Sequence, residues 1–96
     1  MADIRIHRYS VDQANRDELV ARRTDLITAI RAKHPGLTDT RLIDLGDGTF
    51  IDIWRWASTA EMQAALADIA AFPEARAAMS LTRDASSEDG DVVDER

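Results

Sequence analysis

No cysteine occurs anywhere in this 96-residue chain, so no disulfide braces it and no thiolate is on hand to bind a metal. Histidine is scarce too: His7 and His34 are the only two, which leaves no histidine-rich metal site within one chain. Basic residues number 12 against 18 acidic ones. The resulting net charge of −6 argues against a nucleic-acid partner, which needs a basic surface. No apolar run approaches the ~20 residues needed to cross a bilayer, so a membrane partner is not expected. The opening stretch Met1-Ala2-Asp3-Ile4-Arg5 is charged at once and shows none of the apolar core of a secretory leader. With the lack of cysteine, this reads as a cytoplasmic protein.

What is present is enough for one domain, read as spanning residues 1–96. A chain of this size buries only roughly 60–65% of its unfolded surface, so its core is thin and association with another subunit is a natural further source of burial. Ile4 to Tyr9 alternates with period two and reads as a strand over about residues 3–10. Asn15 followed by Glu18 has the spacing of a capping box and opens a helix over about 16–33, with Leu19, Leu26 and Ile30 on its apolar stripe and Arg22 and Arg23 mostly off it. His34-Pro35-Gly36 stops that helix. Leu37–Leu45 reads as a second strand, Gly46-Asp47-Gly48 as a hairpin turn, and Thr49–Ala57 as a third strand. Ser58 and Glu61 mark a second capping box, and Pro73 divides the helix that follows. Residues 84–91 read as an acidic loop, and residues 91–95 as the candidate for a last strand. The order strand, helix, hairpin, helix, strand is the α+β, ferredoxin-like β-α-β-β-α-β plan with an antiparallel sheet.

The third strand is apolar on both faces: Ile51 and Ile53 point one way, and Phe50, Trp54 and Trp56 the other, with Asp52 among them. Two helices cover one face only. Size and β-branching assign Ile51 and Ile53, with Ile4 and Ile6, to the helices. That leaves Phe50, Trp54, Trp56 and Tyr9 on the open face, where a second copy of the chain is the simplest cover. Arg5, His7 and Tyr9 share a parity on the first strand and should meet Asp52 and the tryptophans. His7, Tyr9 and Asp52 are therefore the candidate catalytic residues, and Arg5, Phe50, Trp54 and Trp56 the candidate substrate-binding ones. Each has a plainer alternative. His7 is a general base or a hydrogen-bonded strand histidine. Asp52 polarises a substrate or pairs with Arg5 or Arg41. Tyr9 is a cavity donor or a packing residue, and the tryptophans stack a flat ligand or fill a dimer interface.

His34-Pro35-Gly36-Leu37, Gly46-Asp47-Gly48-Thr49-Phe50 and Trp56-Ala57-Ser58 with Glu61 resemble the antibiotic-biosynthesis-monooxygenase family of dimeric α+β barrels, over about residues 3–83. The resemblance implies two sheets closed face to face, and a reaction in some members that oxidises polycyclic phenols to quinones with molecular oxygen and no cofactor. Oxygenase members often carry a tryptophan on the second helix, and Met62 to Phe72 has none. Haem-opening members have an asparagine on the first strand and a late helical histidine, and this chain has neither, so haem degradation is not expected. Only Trp56 carries over residue by residue. The expected function is thus a cofactor-independent, monooxygenase-like activity on a small flat hydrophobic or phenolic molecule in a homodimer. The alternative is a non-catalytic ligand-binding or structural homodimer of the same fold.

Overall fold

The structure, a computed structural model, describes residues 3–96. Met1 and Ala2, which begin the stretch read above as leaderless, lie outside the described residues. Four strands and three helices follow in the order β1 (Asp3–Ser10), α1 (Arg16–Lys33), β2 (Leu37–Asp44), β3 (Thr49–Trp56), α2 (Thr59–Asp68), α3 (Pro73–Met79) and β4 (Arg83–Asp91). The sheet order is β2-β3-β1-β4 with every neighbouring pair antiparallel. This is the ferredoxin-like arrangement expected from the element order. No helix among the described residues is long and apolar enough to cross a membrane.

The local signals that formed and those that did not have separate causes. Ser58 accepts the Glu61 N–H at 3.2 Å and donates to the Glu61 carboxylate at 3.1 Å, so the second capping pair is realised. Asn15 makes no such bond, because a single 3₁₀ turn over Gln13–Asn15 leads into α1, and Glu18 turns to Arg22 at 2.8 Å instead. Gly46 and Gly48 both have positive φ, at 87° and 89°, which justifies glycine at each end of the β2–β3 turn. Pro73 opens α3 after a 3₁₀ turn over Ile69–Ala71.

The structure departs from expectation in its last strand and in the facing of its sheet. The last strand is Arg83–Asp91, which is the stretch expected to be an acidic loop, and not residues 91–95. Every residue of it is exposed, so no apolar alternation announces it. It forms on main-chain pairing with β1, reinforced by Arg5 bonds to Asp89 and Ser87. Its charge suits an edge strand, which must not recruit further strands. The faces of the sheet are also reversed from expectation. Phe50, Asp52, Trp54 and Trp56 are 3, 4, 5 and 1% exposed and lie on the helix side. Ile4, Ile6, Ile51 and Ile53 are only half-buried, on the side without helices. The reason is depth. Ala65, Ala75 and Ala78 are the buried residues that α2 and α3 bring to the main core beside Met62, and small side chains leave room that two tryptophans fill. A bulge at Thr38 also shifts register, so Leu37 lies opposite Trp56 in the core while Ile43 faces outward opposite Ile51.

Candidate active site

Between sheet and helices lies a cavity of about 370 Å³, inside the range of roughly 300–1,000 Å³ usual for small-molecule sites. β1 supplies Arg5, His7 and Tyr9 to its wall, β3 supplies Asp52 and Trp54, and α1 supplies Leu19, Arg23 and Leu26. The rest of the wall comes from α2, α3 and their connecting turn, and the rim from Thr82 and the start of β4. The register explains the convergence: His7 is paired with Asp52, Arg5 with Trp54, and Tyr9 with Phe50. Directly opposite residues on one face bring their Cβ atoms to about 4.5–5.5 Å.

Asp52 is the organising group. Its carboxylate accepts the Tyr9 hydroxyl at 2.9 Å, the Trp54 indole N–H at 2.8 Å, and two bonds from Arg23 through Nε and Nη2, each 2.9 Å. Four donors saturate both oxygens, and the bidentate Arg23 pair neutralises the charge. Asp52 therefore has no lone pair in reserve for a substrate proton. It does pair with an arginine, but with Arg23 rather than Arg5 or Arg41. Arg41 turns to Asp39, and Arg5 bonds Asp89 at 2.9 and 3.1 Å and Ser87 at 3.0 Å.

Tyr9 cannot act as a base either. Burial first, and the adjacent Asp52 carboxylate second, push its hydroxyl well above the ordinary value, so it stays protonated and spends its proton on Asp52. His7 is different. It makes no hydrogen bond to another described residue, and its ring meets Trp54 edge-on with centroids 5.7 Å apart. Burial holds its pKa below 6.5, with Arg5 pushing the same way and Asp52 and Asp89 opposing. At neutral pH it is an uncharged imidazole facing a largely apolar chamber, which is the state a proton acceptor requires.

The expected set thus divides. Arg5, His7, Tyr9, Asp52 and Trp54 come together on one cavity wall. Phe50 and Trp56 do not line it. Phe50 stacks on Tyr9 at 6.3 Å within a small cluster with Val11 and Leu19, and Trp56 sits in the main core beside Leu37 and Met62. Sequence reasoning missed Arg23, although the signal was there: position 23 is four after Leu19 and three before Leu26, on the buried stripe of α1. Among the described residues no three His, Asp or Glu side chains converge to hold a metal ion.

No family model matches the chain, and no curated protein sequence does. Solved structures do match. SnoaB, a cofactor-independent oxygenase from Streptomyces nogalater, gives a TM-score of 0.79 at 20% identity, over 98% of this chain and 95% of its own. Rv0793 from Mycobacterium tuberculosis gives 0.66 at 22% identity, over 99% and 98%. A protein from Deinococcus radiodurans, named for the antibiotic biosynthesis monooxygenases, gives 0.72 at 19% identity, over 98% and 95%. The chain has the fold of antibiotic biosynthesis monooxygenases across nearly its whole length, as the resemblance implied.

Proposed function

We propose that this protein is a cofactor-independent monooxygenase acting on a flat, hydrophobic phenol or enolisable ketone such as an anthrone. The observation that carries the reading is a neutral, unbonded His7 in a largely apolar cavity whose carboxylate, Asp52, and phenol, Tyr9, already spend their hydrogen bonds on each other and on Arg23 and Trp54. His7 takes the acidic proton of the ligand, leaving an electron-rich anion in a chamber that excludes water. That anion reacts with molecular oxygen. For an anthrone, the ring CH₂ becomes a carbonyl: one oxygen atom enters the product, and the other leaves as water with the two hydrogens. All four electrons come from the substrate and the oxygen is the only co-reactant. Trp54 offers the ring an edge of the wall. Oxygen uptake with a panel of anthrones and hydroquinones tests the reading. Stoichiometric uptake above the spontaneous rate supports it, and uptake at background for every member, with tryptophan quenching by those ligands, would instead favour the non-catalytic binding module.

The homodimer belongs to the same reading, with its face corrected. The side of the sheet without helices presents Ile4, Ile6, Ile51 and Ile53, and Ile43 at 41% exposure. Flat, β-branched surfaces of this kind pack sheet on sheet about 10 Å apart. Arg41 and Arg55 on that face already pair with Asp39 and Glu95, and Arg8 and Glu88, which pair with no other described residue, are left as opposite charges for a twofold-related copy. Light scattering should give twice the chain mass of 10.7 kDa, and Ile53→Glu should halve it. A wild-type monomer at micromolar concentration would remove the dimer from the account. We place the protein in the cytoplasm, in keeping with a cysteine-free chain.

A further inference from the structure

Arg23 is clamped in a way that its pairing with Asp52 alone does not require. Nε and Nη2 both point at the carboxylate, which fixes the plane of the guanidinium. Nη1 is left over. Among the described residues it has no acceptor, it is not sealed away as a buried orphan, and Arg23 lines the cavity. Arg5, the other cavity arginine, has both terminal nitrogens engaged by Asp89 and Ser87, and its Nε, though unpartnered among the described residues, is sealed from access. Each guanidinium of the wall has one carboxylate partner, Arg23 with Asp52 and Arg5 with Asp89, so among the described residues no unpaired negative charge faces the cavity to repel an anion. His7, paired with Asp52 across the β1–β3 ladder, is one step from where Asp52 holds Arg23.

We propose that Arg23, through its free Nη1, is the oxyanion receptor of the cavity, so that the site takes its ligand as the anion. The inference rests on the reading of the ligand as an acidic phenol or enol. The ligand O–H bond breaks, an N–H bond forms on His7, and the electron pair stays on the ligand oxygen, which Nη1 receives as a hydrogen-bond donor. A donor already held in place by Asp52 needs no reorganisation when that charge appears. It also selects: a flat hydrocarbon or an O-methylated phenol of equal size has no charge to place there and binds less well.

4-Nitrophenol, whose neutral and ionised forms differ in colour, reads this directly. Bound to the wild-type protein, its apparent pKa should fall by about one to three units, the size of shift an adjacent opposite charge produces. Arg23→Gln alone leaves Asp52 buried and unpaired, so the decisive variant is the double Arg23→Gln, Asp52→Asn, which removes both charges together and leaves the net charge unchanged. It should bind the neutral phenol and lose the shift. Arg23→Lys, which keeps the charge without the fork, should retain only part of it, and His7→Ala should keep it, since the anion's partner is Arg23. Persistence of the full shift in the double variant, or binding to wild type without any shift, overturns the proposal. If wild type binds no phenol at all, as judged also by tryptophan quenching, the ligand reading itself fails and takes the proposal with it.

Discussion

Asp52→Ala is expected to lower the unfolding free energy by about 3–5 kcal/mol, the usual cost of breaking a buried ion pair from one side. The substitution removes the acceptor of four hydrogen bonds and leaves the Arg23 guanidinium, its side chain 13% exposed, without a counter-charge. Domains of this size are held by only about 5–15 kcal/mol, so the variant should sit near the edge of folding at 37 °C. The loss has a location as well as a size. Asp52 lies between Phe50 and Trp54, and those two belong to separate apolar clusters. Without the carboxylate the Tyr9 hydroxyl and the Trp54 N–H also lose their partner. The paired replacement Arg23→Met, Asp52→Leu should recover much of the loss, because it removes both charges and fills the volume. Urea unfolding with an unchanged m-value measures both. A cost under about 1 kcal/mol for Asp52→Ala would show that the network is not what holds the cavity wall together.

His7→Ala is expected to reduce turnover by about 10²–10⁴-fold, the range supplied by a general base. The pH dependence carries more information than the loss itself. With His7 held below 6.5 by burial, the wild-type rate should stay level as pH falls to 6.5 and drop only below it, through the lowered value. Stability has the same sign. The folded state favours the neutral ring, so the contribution is complete above the unfolded value of about 6.5 and is lost as pH falls through the folded one. His7→Ala should lack both limbs. Its folding cost should be small, since the side chain gives up an edge contact with Trp54 and no hydrogen bond to another described residue.

The secondary structure was legible wherever apolar periodicity was strong. β1 and α1 fall at their expected bounds, and Pro73 divides the second helical stretch as expected. β4 was illegible because an edge strand paired on one side, with both faces wet, needs no apolar residue to form. The residues of the site were largely readable, since parity on β1 and β3 already put His7, Tyr9, Asp52 and Trp54 on one face. Which face that was could not be read from those strands alone. It depends on what the helices offer in return, and Ala65, Ala75 and Ala78 leave the depth that takes tryptophan rather than isoleucine. Arg23 was legible by its spacing from Leu19 and Leu26, yet was placed mostly off the apolar stripe. A cation on a buried stripe asks for a buried anion, and Asp52 was the one carboxylate among aromatics.

Imidazole proton signals followed through a pH titration give the most direct test of the cavity as the working site. His34 bonds Asp68 at 3.0 Å between the ends of α1 and α2, so His34→Gln keeps a bonding group there and leaves His7 as the only imidazole. His7 should titrate with a midpoint below 6.5 in the free protein, displaced when 4-nitrophenol or an anthrone is added. A midpoint at the ordinary value that no such ligand moves, at saturating concentration, would contradict that reading of the cavity.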